Sequence, residues 1–342
     1  MNILFDVNHP VDVNVLKKAA IQLAEDGHHI FVTYRPRGIL EKVVETELGD
    51  FSPIRIGKYH PSSFFKKLFG QLYRDWLFLS FFRRNKIDLS IGSSTNAISA
   101  WIMGIPHLAF EDDPEYKLTF WHANLFATRH IMPSCIKVKR KNIYHYRGLK
   151  ELSYLHPRHF SPRAEKLDSY GLRPDEYVFI RKIARVSLNY KKGESLSISV
   201  IKKIRALGLK ILLSLEDKTE RGQFQDDCII LEEPVEDIFS LMKFALFCIS
   251  SGDSMAREAC LLGTPTIYTG GREMQVNREL MEIGCLFKED TEDDVTKRIS
   301  QLSDRRRRDR IGRMMGAKIE HDWEDVTQVI IRHVNDFRES RR

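Results

Sequence analysis

Residues 245–268 read ALFCISSGDSMAREACLLGTPTIY. The apolar run from Ala245 to Ile249 stops at Ser250 and Ser251. Gly252, Asp253 and Ser254 then open a stretch with helical spacing, and Gly263-Thr264-Pro265 closes it before a second apolar run. That order reads as buried strand, tight turn, short helix, buried strand, which is one βαβ unit of a parallel sheet.

The same alternation extends in both directions. Strands are predicted at 3–7, 29–34, 54–57, 87–91, 107–110 and 130–132, with helices near 13–26, 37–47, 62–84, 95–103 and 115–126. Residues 144–162, YHYRGLKELSYLHPRHFSP, are aromatic, basic and broken by proline, with no clean period, and are read as a connector. Beyond them strands are predicted at 177–181, 210–214, 228–231, 246–250, 266–268 and 285–287. The segment 321–337, HDWEDVTQVIIRHVNDF, has apolar residues at helical spacing. The fold class expected is therefore α/β, with two Rossmann-like, doubly wound parallel-sheet domains facing across a cleft. The expected domains are 1–158 and 159–320, with a C-terminal helix in 321–342 packing back on the first. Ligands of such sheets bind beyond the carboxyl ends of the strands, so the residues that follow each strand are the candidates.

Bulk properties agree with two cores. The chain has 342 residues, of which 42% are hydrophobic and 30% charged, and that length suits two domains of ordinary size. Its apolar runs are too short to span a bilayer. MNILFDV at the start is strand-like, without the basic opening of a secretion signal. The five cysteines stand singly in or near apolar runs with no CxxC, so a reduced, cytoplasmic protein is expected. A net charge of +7 and a pI near 9.0 favour anionic partners. No RNA-binding aromatic signature, zinc finger or helix-turn-helix pattern occurs, which argues against nucleic acid.

The turn at 250–254 has a chemical use. A helix N-terminus presents unpaired N–H groups and the positive end of a dipole. Gly252 lets a ligand approach the backbone, and Asp253 or Ser254 can cap the helix. A diphosphate fits such a place, although the same residues also make an ordinary strand-to-helix turn. Glu258, near the second turn, can reach a ribose diol. Arg181 and Lys182, ending the strand YVFIRK, are second candidates for phosphate; their plain alternative is a solvated strand end.

SGDSMAREACLLGTP resembles, in length and landmarks, the C-terminal nucleotide-sugar motif of MurG-like glycosyltransferases. EMQVNRELMEIG (273–284) resembles the Gln-x-x-Asn-type segment that follows it in the GT-B superfamily. More closely, the chain is similar to a prokaryotic family of unknown function placed beside MurG and the UDP-N-acetylglucosamine 2-epimerases. The matching pieces are FDVNHPVDVNVLKKAAIQLAEDGHHIFVTYR (5–35), IGSSTNAISAWIMGIPHLAFED (91–112), MPSC (132–135), YLHPRHFSP (154–162) and MAREACLLGTPTIY (255–268). The resemblance implies a GT-B fold and a nucleotide-sugar ligand, with no cofactor beyond that co-substrate and no metal. It implies that Glu258 meets the ribose, that Ser251 and Gly252 meet the diphosphate, and that Gln275 belongs to the same site. Arg257, beside them, has no counterpart to carry over and is included by position.

In the first half, the resemblance implies that the loop DVNHPVDV (6–13) faces the acceptor. His9 is its one group of near-neutral pKa and could serve as general base; otherwise it hydrogen-bonds the loop backbone. Asn8 and Pro10 are assigned to binding with it. Ser93 and Ser94, in GSSTNA (92–97), make a second small-residue turn suited to a sugar or phosphate. FEDDPE (110–115) is rich in acids, and Glu111 and Asp112 are the catalytic candidates there, since like charges raise a carboxyl pKa.

The expected function is a nucleotide-sugar-dependent glycosyltransferase of cell-surface glycan synthesis. The second domain would hold the donor, and the acceptor would be a glycan or lipid-linked. The alternatives are a UDP-sugar 2-epimerase-like enzyme, kept open by the carboxylates at 111–113, and a glycan- or nucleotide-binding protein without turnover. The stretch 60–86, HPSSFFKKLFGQLYRDWLFLSFFRRNK, is aromatic and basic. It is read first as a core helix, with peripheral contact at the inner face of a membrane as the other reading. RRRRDR (305–310) is read as an exposed helical face.

Overall fold

A computed structural model describes residues 1–342 other than 59–63, 116, 185–196, 233–234 and 340–342. Residues 62–63 and 116 of the expected helices, and 340–342 of the terminal segment, therefore lie outside the described residues. The chain forms two compact units. Unit 1 is residues 1–156 with 324–342, and unit 2 is residues 157–323.

Unit 1 begins β1 (Asn2–Val7), α1 (Pro10–Glu25), β2 (His29–Tyr34), α2 (Leu40–Leu48), β3 (Ile54–Arg55) and α3 (Phe64–Asn85). It continues β4 (Leu89–Gly92), α4 (Ala97–Ile102), β5 (His107–Phe110), α5 (Lys117–Phe126), β6 (Arg129–Pro133), β7 (Ile143–Tyr146) and α6 (Leu152–Leu155). Unit 2 holds β8 (Tyr177–Lys182), α7 (Ile198–Ala206), β9 (Lys210–Leu215), β10 (Ile229–Ile230), α8 (Ile238–Lys243) and β11 (Phe247–Ser250). It closes with α9 (Asp253–Leu261), β12 (Thr266–Tyr268), α10 (Gln275–Ile283), β13 (Leu286–Lys288), α11 (Glu292–Leu302) and α12 (Arg305–His321). The last helix, α13 (Val326–Glu339), returns to unit 1.

Both sheets are parallel and doubly wound. The strand order in unit 1 is β3-β2-β1-β4-β5-β6-β7, and in unit 2 it is β10-β9-β8-β11-β12-β13. The apolar runs that form the central strands are buried on both faces, as helices above and below a parallel sheet require. Ile3, Leu4, Phe5 and Val7 are all within the core. Phe78 and Phe82 of α3 pack with Leu4 and Ile56 on one side of unit 1. In unit 2, Val178, Ile180, Leu213, Ile249 and Ile267 pack against Val200, Ile204, Val295 and Ile299. Each fully buried side chain of this kind contributes about 1.5–3 kcal/mol.

Each strand order reverses once, between β1 and β4 and between β8 and β11. At those switch points the loops after neighbouring strands diverge and leave a crevice for ligands. The register fixes what meets there. Asp6 of β1 lies opposite Gly92 of β4, and Arg181 of β8 lies opposite Ser250 of β11. Gly92 is required by this approach, because a Cβ there would fall 2.7 Å from the Asp6 carbonyl oxygen.

Three expectations are corrected. The stretch read as a connector begins with β7, which pairs with β6 from His130 opposite Ile143 to Pro133 opposite Tyr146. It escapes a sequence reading because it is a four-residue edge strand whose middle residues, Tyr144 and His145, are exposed. The terminal helix starts at Val326, not 321. The Asp325 carboxylate accepts from the Thr327 amide at 3.0 Å and sets the start there, as an N-cap does. At 305–310 the helical face is only partly exposed: Arg308 reaches Asp175 and the Lys243 carbonyl.

Candidate active site

In unit 1 the site is built on a buried ion pair. The Arg74 guanidinium, from α3, meets the Asp6 carboxylate at 2.7 Å with both side chains sealed from solvent. Asp6 also accepts from Thr33 Oγ1 (2.8 Å), Asn8 Nδ2 (3.0 Å) and Thr95 Oγ1 (3.0 Å). Arg74 donates further to Thr95 Oγ1 and to the Ile56 carbonyl. Burial alone would raise the Asp6 carboxyl; the charge of Arg74 and these hydrogen bonds outweigh it and hold the group below its ordinary range. One network thus fixes the loops after β1 and β4. Sequence reading leaves Asp6 between the first strand and its loop, and Arg74 in a helix read first as core. An arginine on the buried face of an amphipathic helix is the signal that finds the pair, since a buried charge needs a partner.

The predicted residues of this unit come together around that network. Asn8 Nδ2 bridges Asp6, Ser93 Oγ and Thr95 Oγ1. His9, exposed, is the extended N-cap of α1, and its Nδ1 accepts from the Val11 amide at 3.3 Å. Pro10 is the first residue of that helix, where a missing N–H costs nothing. Asp12 accepts from the amides of both Asn8 and His9 and closes the cap. Ser93 lends its carbonyl to His107 Nε2. Burial pushes His107 down to about 4, opposed by that bond, so it stays neutral and positions the loop.

Glu111 and Asp112 part company. The Ser94 amide donates to Glu111 Oε1 at 2.8 Å. Burial of the carboxyl pushes Glu111 up to about 7, against the lowering effect of the Ser94 hydrogen bonds. Asp112 is instead paired with Lys150 at 2.8 Å. Lys150 lies in the stretch read as a connector, and nothing in its sequence setting marks it. Together with Asp12, Gly92, Ser93, Phe110, Glu111 and Tyr146, it lines a small cavity at the carboxyl end of the sheet. A carboxyl that titrates near neutrality beside a cavity can take and return a proton.

In unit 2, Gly252 is the N-cap of α9 and no side chain caps it. Its own amide bonds Ser250 Oγ at 3.1 Å. The Ser251 hydroxyl accepts from the Ile183 amide at 3.0 Å and donates to the Arg181 carbonyl, so it stitches β8 to β11. Asp253, the first helical residue, turns its carboxylate to the Tyr268 hydroxyl and to Arg272 at 3.2 Å. Arg272 therefore joins this neighbourhood, although no motif in the sequence points to it. Ser254 follows in the first turn, half-buried. Arg181 donates to Ser214 Oγ at 2.8 Å, and Lys182 is paired with Glu220. Glu258 is buried on α9, in the turn after Ser254. Arg257 is buried and donates to Met274 Sδ and Asn277 Oδ1, which ties α9 to α10. Gln275 opens α10 and is half-buried.

Known proteins share this architecture. UDP-GlcNAc 2-epimerase from Neisseria meningitidis, solved with UDP-GlcNAc, matches with a TM-score of 0.69 and 12% identity, over 98% of this chain and 100% of that one. The S. aureus MnaA–UDP structure matches with a TM-score of 0.71 and 15% identity, over 99% and 97%. The glycotransferase of kitacinnamycin matches with a TM-score of 0.65 and 11% identity, over 98% of each chain. At such identities the likeness establishes the fold alone, two Rossmann-like parallel-sheet domains of GT-B type. No curated protein matches the sequence, and among the described residues no helix is long and apolar enough to cross a membrane. Residues 1–339 match the family described as protein of unknown function (DUF354), and the chain belongs to that family.

Proposed function

We propose that the protein is a nucleotide-sugar-dependent glycosyltransferase in which Glu111 is the general base. The observation that carries this reading is the Glu111 carboxyl: it lies in the cavity of unit 1, is anchored by Ser94 and titrates at about 7. A base poised there takes the proton of an acceptor hydroxyl as the glycosidic bond forms, and is half ionised near neutral pH. His9 suits a different part. With Nδ1 accepting from the Val11 amide, it caps α1 and shapes the loop that meets the acceptor. Asp112, neutralised by Lys150, holds the loop.

The donor binds unit 2. Its diphosphate lies at the uncapped N-terminus of α9, where the first-turn amides and the helix dipole favour an anion. Arg272 neutralises Asp253, which would otherwise repel that anion. Ser251 and Gly252 shape the turn through the bonds described above, and Glu258 takes the ribose diol. The acceptor is a glycan or lipid-linked glycan, met by Asn8, Ser93 and Glu111 on the cytoplasmic side of the membrane.

Sugar epimerisation is the second reading, favoured by the UDP-GlcNAc 2-epimerases among the similar structures. A carboxyl titrating near 7 could equally remove and return a proton on the sugar ring. Incubation with UDP-, GDP-, CMP- and dTDP-sugars separates the two. Nucleotide released only when an acceptor is present supports transfer, and a new epimer of the sugar supports the second reading. Neither product from any donor would leave the assignment of Glu111 without support.

A further inference from the structure

Three adjacent helices of unit 1 leave large apolar side chains in water. On α3 the inward stripe is Arg74, Phe78 and Phe82; the outward one carries Phe69, Leu72 and Trp76. Beside it stand Trp101 of α4 and Trp121 and Leu125 of α5, all at least 47% exposed. Ser99 Oγ bonds Asp75 and ties α4 to α3, and the Trp101 ring meets Phe126 at 5.5 Å and ties α4 to α5. Eight of the fourteen large exposed apolar residues among those described lie on these helices. Scattered exposed residues need no explanation, but a cluster of this kind marks an interaction site.

Its charge selects the partner. Apart from the buried Arg74, the three helices contain five Lys and Arg and one acid, Asp75, whose carboxylate is engaged by Gln71 and Ser99. Arg83 and Arg84 are exposed, and Arg83 lies seven positions beyond Trp76, on the same side of α3. The exposed Arg140, from the basic run KVKRK (137–141), stacks 4.2 Å over Trp121. A second copy docking through this face would set the same cations against one another, because a two-fold interface joins identical patches. Tryptophan with flanking cations suits a different surface, the headgroup region of an acidic bilayer.

We propose that this face of unit 1 docks on an anionic lipid bilayer, with Trp76, Trp101 and Trp121 at headgroup level and Arg83, Arg84 and Arg140 against lipid phosphates. The protein then lies on the membrane and does not cross it. The proposal is independent of the chemistry assigned to Glu111.

The test is flotation of the full chain with vesicles of phosphatidylcholine alone and of phosphatidylcholine mixed with phosphatidylglycerol. Binding is expected to the mixed vesicles and to weaken with salt. Arg83→Gln and Arg84→Gln should each lower that partition about five-fold, since a cation near an acidic surface contributes about 1 kcal/mol. Trp76→Ser should lower it as well, while the melting temperature of each variant stays that of the wild type. Equal partition to both vesicle types, or variants that float like the wild type, would overturn the proposal. So would a dimer in sedimentation that Trp76→Ser disperses while vesicles go unbound; that outcome assigns the face to a second copy.

Discussion

Replacing Glu111 by glutamine keeps the shape of the side chain and its acceptor for the Ser94 amide, and removes only the ability to ionise. Two effects of opposite sign follow. Loss of a positioned general base lowers turnover by about 10²–10⁴-fold. The wild-type rate should climb through about pH 7, where Glu111 loses its proton, and level off above it; the residual rate of the variant should lack that step. Stability moves the other way. Burial raises the folded value of Glu111 from 4.5 to about 7, so between those values the folded chain binds the proton more tightly than the unfolded chain. Wild-type stability therefore falls as pH rises through that window. Above it a buried carboxylate costs up to roughly 3 kcal/mol, at about 1.4 kcal/mol per tenfold change in proton affinity. The amide never ionises, so the Glu111→Gln variant should be the more stable protein at about pH 8 and lose its advantage below about pH 4.5. Donor-sugar turnover with acceptor and urea unfolding across that range read both effects. Full turnover in the variant, or a stability difference that ignores pH, would refute the assignment.

Asp6→Asn should cost about 3–5 kcal/mol in urea unfolding, because it leaves the sealed Arg74 guanidinium without its counter-charge. Gly92→Ala forces a Cβ against the Asp6 carbonyl and should cost about 1–3 kcal/mol, seen as a lower midpoint with an unchanged urea slope. Glu258→Ala should weaken nucleoside diphosphate binding by about 1.5–3 kcal/mol in calorimetry, the worth of a charge-assisted hydrogen bond; unchanged affinity removes it from the donor site. In the wild type, a nucleoside diphosphate that occupies unit 2 should raise the melting temperature with its concentration.

How much of this is legible in the sequence depends on distance along the chain. The βαβ alternation is local, written in apolar runs and the turns between them, and the strands at 29–34, 107–110 and 266–268 fall where it puts them. Edge strand β7 is not legible, because its exposed Tyr144 finds its packing partners in His333 and Arg129, and the first of these lies far along the chain. The same holds at the site. Glu111 is visible as an acid after a strand, but what sets its titration is the set of atoms around it. Lys150, which separates Asp112 from it in role, is brought in by chain that gives no periodic signal. Arg74 shows the limit most clearly: its place on the inward face of a helix read as core says that it needs a partner, and only the fold says that the partner is Asp6.

The chain enters unit 2 at residue 157 and comes back at residue 324. Helix α13 buries Val326, Val329, Ile330 and Val334, and it packs on α1 and α6 of unit 1. Thr327 Oγ1 reaches the Ser153 carbonyl at 2.8 Å. During synthesis, then, the ribosome delivers the first unit with part of its apolar wall bare, and the missing piece arrives only after the whole of the other unit has been made. A nascent chain of this design must wait, with α1 and α6 uncovered until residues 326–339 have emerged.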